Sequence, residues 1–146
     1  IRPIGRRDLD AVAGMIGRLA HHHGDTAQID IAHLEADLFG AMAWVQGLVA
    51  ERDGEIAGYV LMVPRYRPQI TQRGLDMHHL FVREDLRGQG VGRQLVSAVL
   101  TYARDRRCAF LMVGTAADNA PAQAFYRSLG FEQRDFTGRG FSIRLG

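Results

Sequence analysis

Arg87, Gly88, Gln89, Gly90, Val91 and Gly92 set three glycines at alternate positions directly before an apolar pattern of helical period. Glycine has no Cβ to block φ > 0 or the approach of a ligand, so such a loop can turn its N–H groups inward. Val91, Leu95, Val96, Val99, Leu100 and Ala103 follow at helical spacing, which puts the glycines at the first turn of an amphipathic helix. The unpaired N–H groups and the macrodipole of a helix N-terminus favour an anion there. Arg87 and Arg93 add full charges, so the chemistry expected is the retention of a phosphate, largely by backbone.

A second set of reactive side chains lies just upstream, where Asp76, His78 and His79 fall in an apolar run of strand length, residues 75–82. Alternation puts Asp76 and His78 on one face and His79 on the other. A neutral imidazole accepts a proton near physiological pH, and Asp76 is placed to orient it or share a relay; a histidine merely hydrogen-bonded in a sheet fits the same pattern. His21, His22 and His23, with His33, invite a metal reading, but successive helical residues diverge by about 100°, so at most two of the three could meet one ion. No metal is expected. Cys108 is the only cysteine; it excludes an intrachain disulfide and fits packing at a helix–strand junction.

The elements that must position these groups are legible around them. Residues 1–4 suit a short strand, and Asp8 suits the N-cap of a helix carrying Leu9, Val12, Met15, Ile16 and Leu19 inward and ending near His23 and Gly24. A second helix is expected behind Asp30, with Gly40 as its stop. Residues 44–52 and 55–63 are apolar and β-rich, joined by Asp53-Gly54, a strong hairpin signal. Pro64 should end the third strand. The stretch from there to Gly74, with Arg65, Tyr66, Arg67 and Arg73, reads as a solvated loop, or as the wall of a pocket for an anionic group. Residues 109–113 read as a strand buried on both faces. Asp118 and Asn119 cap a helix with Pro121 early and Gly130 at its stop. Residues 131–136 and 141–145 close the chain as two strands. The order is βααβββαβαββ.

A strand, glycine loop and helix in sequence suit several phosphate binders, so spacing must choose among them. A Walker loop needs Gly-Lys-Ser/Thr, and the chain has no lysine. The dinucleotide fingerprint needs Gly-x-Gly-x-x-Gly, whereas these glycines stand at i, i+2 and i+4. Arg87-x-x-Gly90-x-Gly92 behind Leu80-x-Val82 instead resembles the acyl-CoA signature of the GNAT superfamily of N-acyltransferases. Asn119-x-x-Ala122-x-x-Phe125-Tyr126-x-x-x-Gly130-Phe131 resembles that superfamily's other signature, at the expected distance. The element order agrees along essentially the whole chain. The N-terminal half is loosely similar to the diamine acetyltransferase branch, which however carries adjacent acids where this chain has His78 and His79, so a polyamine acceptor is not expected.

The resemblance implies an α/β (α+β) fold: a mixed, mostly antiparallel sheet in which strands 4 and 5 run parallel and splay to admit the pantetheine arm, in one domain over residues 1–146. It implies acetyl-CoA as the acyl donor. Backbone at Leu80, Phe81 and Val82 would pair the pantetheine amides and hold the oxyanion. Gln89, Gly90, Val91, Gly92 and Arg93, beside Arg87 and Gly88, would take the pyrophosphate, and Asn119, with Ala122 and Phe125 of the same motif, the arm. Tyr126 is implied as the acid that protonates the leaving thiolate, since a tyrosine stays protonated to about pH 10. The base is implied on the strand before the loop, with His78 first and Asp76 assisting, unless the bulge usual in that strand shifts the register. Direct attack by the amine of a small molecule is implied rather than an acyl-Cys108 intermediate. A non-catalytic acyl-CoA sensor and a protein amino-group acetyltransferase share the same motifs.

Composition bounds the rest. The 146 residues, 47% hydrophobic, suit one core, and no apolar run approaches the ~20 residues that span a bilayer. No signal segment opens the chain, so a cytoplasmic protein without a membrane partner is expected. Eighteen arginines give a net charge of +2 but are scattered through every element, which argues against nucleic acid as a partner. A homodimer is a family-level expectation.

Overall fold

The computed structural model describes residues 1–146, which divide into two units, Ile1–Gly114 and Thr115–Gly146. In the first, a five-stranded sheet runs in the order β1 (Arg2–Pro3), β2 (Gln46–Arg52), β3 (Glu55–Arg67), β4 (Gln72–Val82), β5 (Phe110–Met112). Neighbours are antiparallel except β4 and β5, which are parallel. A parallel pair needs a long crossover, and α3 (Val91–Asp105) supplies it. Helices α1 (Leu9–His22) and α2 (Ile31–Phe39) precede β2.

Cross-strand pairing sorts the core by face. Tyr59, Leu61 and Phe81 pack with Val12, Met15 and Leu19 of α1. Gly58 lies on the opposite face, where a Cβ would come within 3.4 Å of Leu95 of α3. In α3, Val91, Leu95, Val96, Val99 and Ala103 are all buried, the stripe expected from their spacing. Gly74 is needed for another reason: a Cβ there would collide with the Phe110 ring, which lies against it and under the Arg67 guanidinium, 3.9 Å from the ring centroid.

Four expectations are corrected. Pro64 does not end β3, which continues to Arg67, paired with Gln72. β2 stops opposite Met62, so beyond that point β3 has β4 as its only neighbour, and a proline without an N–H is tolerated at such an edge. Residues 65–67 and 72–74, Arg73 among them, are therefore paired hairpin strand rather than loop. Trp44 is outside β2 because its N–H goes to the Asp37 carbonyl of α2, and the indole is 69% exposed. β5 is half-buried instead of covered on both faces, as its place at the sheet edge dictates. Finally, residues 131–136 and 141–145 form no strands, so the order is βααβββαβα. Apart from half-buried Phe131, their large apolar residues Phe136, Phe141, Ile143 and Leu145 are exposed, Phe141 to 94%. A period-two pattern becomes a strand only where a ladder partner takes its backbone groups, and none does here.

Asp8 caps differently from the expectation as well. Its carboxylate makes no cap to α1; it accepts from the Gly5 N–H at 2.7 Å and from both Nη atoms of Arg2 at 2.7 and 2.9 Å, tying β1 to the 3₁₀ turn Arg6–Asp8. It is the one buried charged residue, 4% exposed, and Arg2 holds its pKa below the ordinary carboxylate value. A carboxylate with a depressed folded pKa stabilises above its unfolded value, and that contribution is lost as pH falls through the folded value. Asp8→Ala leaves Arg2 and the Gly5 N–H without it and should cost about 2–4 kcal/mol in urea unfolding at neutral pH. In the intact protein the same contribution should disappear on acidification below about pH 4.

Candidate active site

The strand that precedes the glycine loop is built to expose its backbone. β4 pairs with β5 only at Gly74, Leu75 and Asp76, while β4 itself runs on to Val82. From Met77 to Val82 one side of β4 has no strand beside it, which leaves its backbone groups there without a ladder partner. Leu80, Phe81 and Val82 lie in this stretch, and their other side is occupied by Val60, Tyr59 and Gly58 of β3. The chain then makes a 3₁₀ turn, Glu84–Leu86, and enters the glycine loop.

Gly88 and Gly90 take φ of +76° and +86°, in the left-handed region, with nothing within 4 Å of where a Cβ would stand. The glycines are required by backbone conformation and leave open space over the loop. Gly90 is the N-cap of α3 and brings no side-chain cap, so the first-turn N–H groups of Val91, Gly92 and Arg93 retain no side-chain partner from it. Arg87 donates from Nε to the Val82 carbonyl at 3.0 Å, and its guanidinium lies 5.6 Å from the Phe81 ring centroid. That bond pins the loop to the end of β4. Arg93 is exposed and forms no ion pair. Gln89 donates to the Asp85 carbonyl at 3.3 Å and accepts from Arg52 at 2.6 Å. Arg52 and Arg18, whose guanidinium lies 5.7 Å from the Phe81 centroid, add positive charge that sequence reading missed. They come from β2 and α1, and no local pattern brings them to the loop.

The base candidates are rearranged by a bulge. Leu61 pairs with His79 and Met62 with Met77, which leaves His78 as the extra residue. Asp76 and His79, opposite Val63 and Leu61, therefore share the α1 face, and plain alternation, which had joined Asp76 to His78, does not hold. His78 is exposed and its ring is stacked on His79 at 5.4 Å and 2°. Asp76 is half-buried opposite Met112. His79 is half-buried with Nδ1 3.4 Å from the Tyr59 hydroxyl; burial pushes its pKa down, and the neighbouring His78 and His23 push the same way. Burial raises the pKa of Tyr59. A cleft of about 700 Å³ on the α1 side is lined by residues including Arg7, Met15, Arg18, Ile56 and Arg83.

In the second unit, α4 (Ala120–Ser128) begins at Asn119, whose side chain accepts from the Ala122 N–H at 3.3 Å. The cap role read from sequence is thus in place. Gly130 at φ +89°, with the Phe131 N–H returning to the Tyr126 carbonyl at 3.1 Å, ends the helix as expected. Tyr126 packs edge-on against Phe125 and Phe131, at 5.2 and 5.5 Å, and burial raises its pKa above the ordinary tyrosine value. It is thereby held as a neutral phenol, able to donate a proton.

His22 and His23 have rings 5.8 Å apart at the end of α1, and no three His, Cys, Asp or Glu side chains converge in a way that would hold a metal ion. Cys108 lies between α3 and β5, its N–H on the Ala103 carbonyl. No helix is long and apolar enough to cross a membrane.

Residues 10–131 match the family model described as the acetyltransferase (GNAT) family. Human N-acetyltransferase 8 is 33% identical over 102 residues, 70% of this chain and 42% of its own length. The rat N-acetyltransferase 8 is 33% identical over 119 residues, 82% of this chain and 50% of its own. The chain therefore spans about half the length of these relatives. Among solved structures, a probable acetyltransferase superposes with a TM-score of 0.85 at 22% identity, covering 99% of both chains. An aminoglycoside acetyltransferase from an uncultured soil metagenomic sample, in complex with sisomicin, gives 0.82 at 16% identity, covering 98% and 95%. A ribosomal-protein-alanine N-acetyltransferase from Brucella melitensis gives 0.79 at 19%, covering 97% and 96%. At these identities the structures speak for the fold alone.

Proposed function

The chain belongs to the acetyltransferase (GNAT) family, and from that premise we propose that it transfers an acetyl group from acetyl-CoA to the primary amine of a small molecule, by direct attack in a ternary complex. The observation that carries this reading is the open side of β4 from Met77 to Val82, which leads through the 3₁₀ turn Glu84–Leu86 into the glycine loop. An extended arm bearing amides fits the open side as an added strand, and a pyrophosphate fits the loop. The residues fit the cofactor: the pyrophosphate would be held by the backbone of residues 88–93 with Arg87 and Arg93, and the arm by Leu80, Phe81 and Val82. Asn119, Ala122 and Phe125 take the cofactor-binding role of their motif. When bound, acetyl-CoA supplies the activated acyl carbon.

The chain's own groups then handle protons. An alkylammonium must lose one proton before its nitrogen lone pair can attack the carbonyl carbon, and a second when the C–N bond has formed. His78, exposed at the bulge, accepts and passes these to solvent. Backbone N–H at the end of β4 takes the oxyanion. As the C–S bond breaks, Tyr126 gives its phenolic proton to the thiolate and recovers one from water. One proton is released overall for each amide formed from an ammonium.

Calorimetric titration with acetyl-CoA, followed by thiol release against a panel of small amines, tests the proposal. Binding with amine-dependent release supports it. Binding without turnover on any amine points to an acyl-CoA sensor, turnover only on protein amino groups to a protein acetyltransferase, and no binding overturns the cradle itself. In His78→Ala kcat should fall by about 10²-fold, while acetyl-CoA affinity is unchanged.

A further inference from the structure

The residue beside the proposed base is held in a way that the base itself is not. Tyr59 is fully buried on β3, and its hydroxyl has one partner, Nδ1 of His79 at 3.4 Å. A buried hydroxyl that only accepted here would leave its own proton without a partner, at a cost of about 1–3 kcal/mol. The O–H therefore donates to Nδ1. An Nδ1 that accepts carries no proton, so the neutral ring carries its proton on Nε2. Nε2 has no partner within the chain and is not sealed from solvent, since no buried side-chain nitrogen or oxygen lacks a hydrogen bond.

The surroundings keep this ring neutral. His78 lies flat against it from the same strand, His23 approaches from α1, and Arg18 of α1 lies over Phe81 two residues along. Asp76 shares its face but forms no ion pair with it, and no carboxylate lies within ion-pairing distance of either stacked ring. Two imidazoles stacked at 5.4 Å do not readily hold two protons.

We infer that His79 is a positioning residue: Tyr59 fixes it as the neutral Nε2–H tautomer, and its ring, stacked on His78, sets a fixed N–H donor beside the base. The inference rests on the reading of His78 as the base. It gives the bulge of β4 a purpose, since regular alternation would send the two rings to opposite faces and separate the holder from the base. The acceptor then meets the base and, beside it, one fixed N–H donor.

Nitrogen-15 long-range NMR of the histidine rings of the full chain, without substrate, across about pH 5 to 8 reads the tautomer and the titration of each ring directly. In the wild type, His79 should show Nε2–H throughout. In Tyr59→Phe, His79 should become a mixture of tautomers. An Nδ1–H tautomer at His79 in the wild type, or an unchanged Nε2–H tautomer in Tyr59→Phe, would overturn the inference. Should Tyr59→Phe fail to fold, the wild-type tautomer decides alone. None of these readouts needs turnover, so a protein that acetylates no amine would refute the proposed function while the state of His79 was still determined.

Discussion

Tyr126→Phe is expected to lower kcat with any accepted amine by about 10²-fold or more, while acetyl-CoA affinity stays within a factor of about two. The phenol is half-buried between Phe125 and Phe131, and burial raises its pKa, so at neutral pH it is a proton donor with no tendency to ionise. A thiolate is a poor leaving group into a site that offers it no proton, and the hydroxyl is the atom that the substitution removes. The ring remains, so the edge-on packing that closes α4 against Phe131 is kept and the helix should retain its stability. Loss of the hydroxyl alone also predicts a change in pH dependence. A raised tyrosine pKa puts the alkaline fall in rate above about pH 10, and Tyr126→Phe should abolish that fall along with most of the rate. A variant that bound acetyl-CoA normally and turned over at the wild-type rate would remove Tyr126 from the mechanism.

What could be read in the sequence, and what could not, divides by the range of the interactions. The glycine loop, the stripe of α3, the Asn119 cap and the Gly130 stop were legible because each is set by residues within a few positions of one another. The parallel pairing of β4 and β5 was implied by the family resemblance, and the crossover between them is long enough to allow it. Pro64 misled because a missing N–H ends a strand only where that N–H would have faced a neighbour, and β2 stops short of it. The segment after α4 misled in the opposite sense: the apolar alternation of Phe141, Ile143 and Leu145 satisfies a strand pattern, but a strand also needs a partner, which no local pattern specifies.

The site shows the same division on a finer scale. Asp76, His78 and His79 were visible as candidates, but their faces were decided by one extra residue in the ladder, and the position of a bulge depends on the register of two strands together. Tyr59 carried no signal at all. It reads as one more aromatic in an apolar strand, and only the pairing of Leu61 with His79 brings its hydroxyl to a ring twenty residues away. Arg52 reaching Gln89 is a contact of the same kind.

The loop itself allows the second large effect to be derived from conformation alone. Gly90 at φ +86° and Gly88 at φ +76° hold the backbone where an L-residue with a branched Cβ is strained, by roughly 1–3 kcal/mol. A Cβ at position 90 meets nothing within 4 Å, so the effect of Gly90→Val is led by backbone preference. The free protein relieves the strain by rotating the loop toward φ < 0, which turns N–H groups away from the position of the anion. Binding must then restore the strained form, and the same 1–3 kcal/mol reappears as a loss of affinity, about 5-fold to 150-fold in the Kd for acetyl-CoA. Truncated ligands sharpen the test. Pantetheine, which lacks the pyrophosphate, should bind the wild type and Gly90→Val equally, whereas coenzyme A should separate them. Gly14→Ala in α1, also with open space around it but in ordinary helical conformation, is the control; it should leave the Kd unchanged and add about 0.5–1 kcal/mol of stability. Equal losses for pantetheine and coenzyme A in Gly90→Val would mean that the loop holds the arm and not the phosphates, and the anion cradle would have to be sought elsewhere along β4.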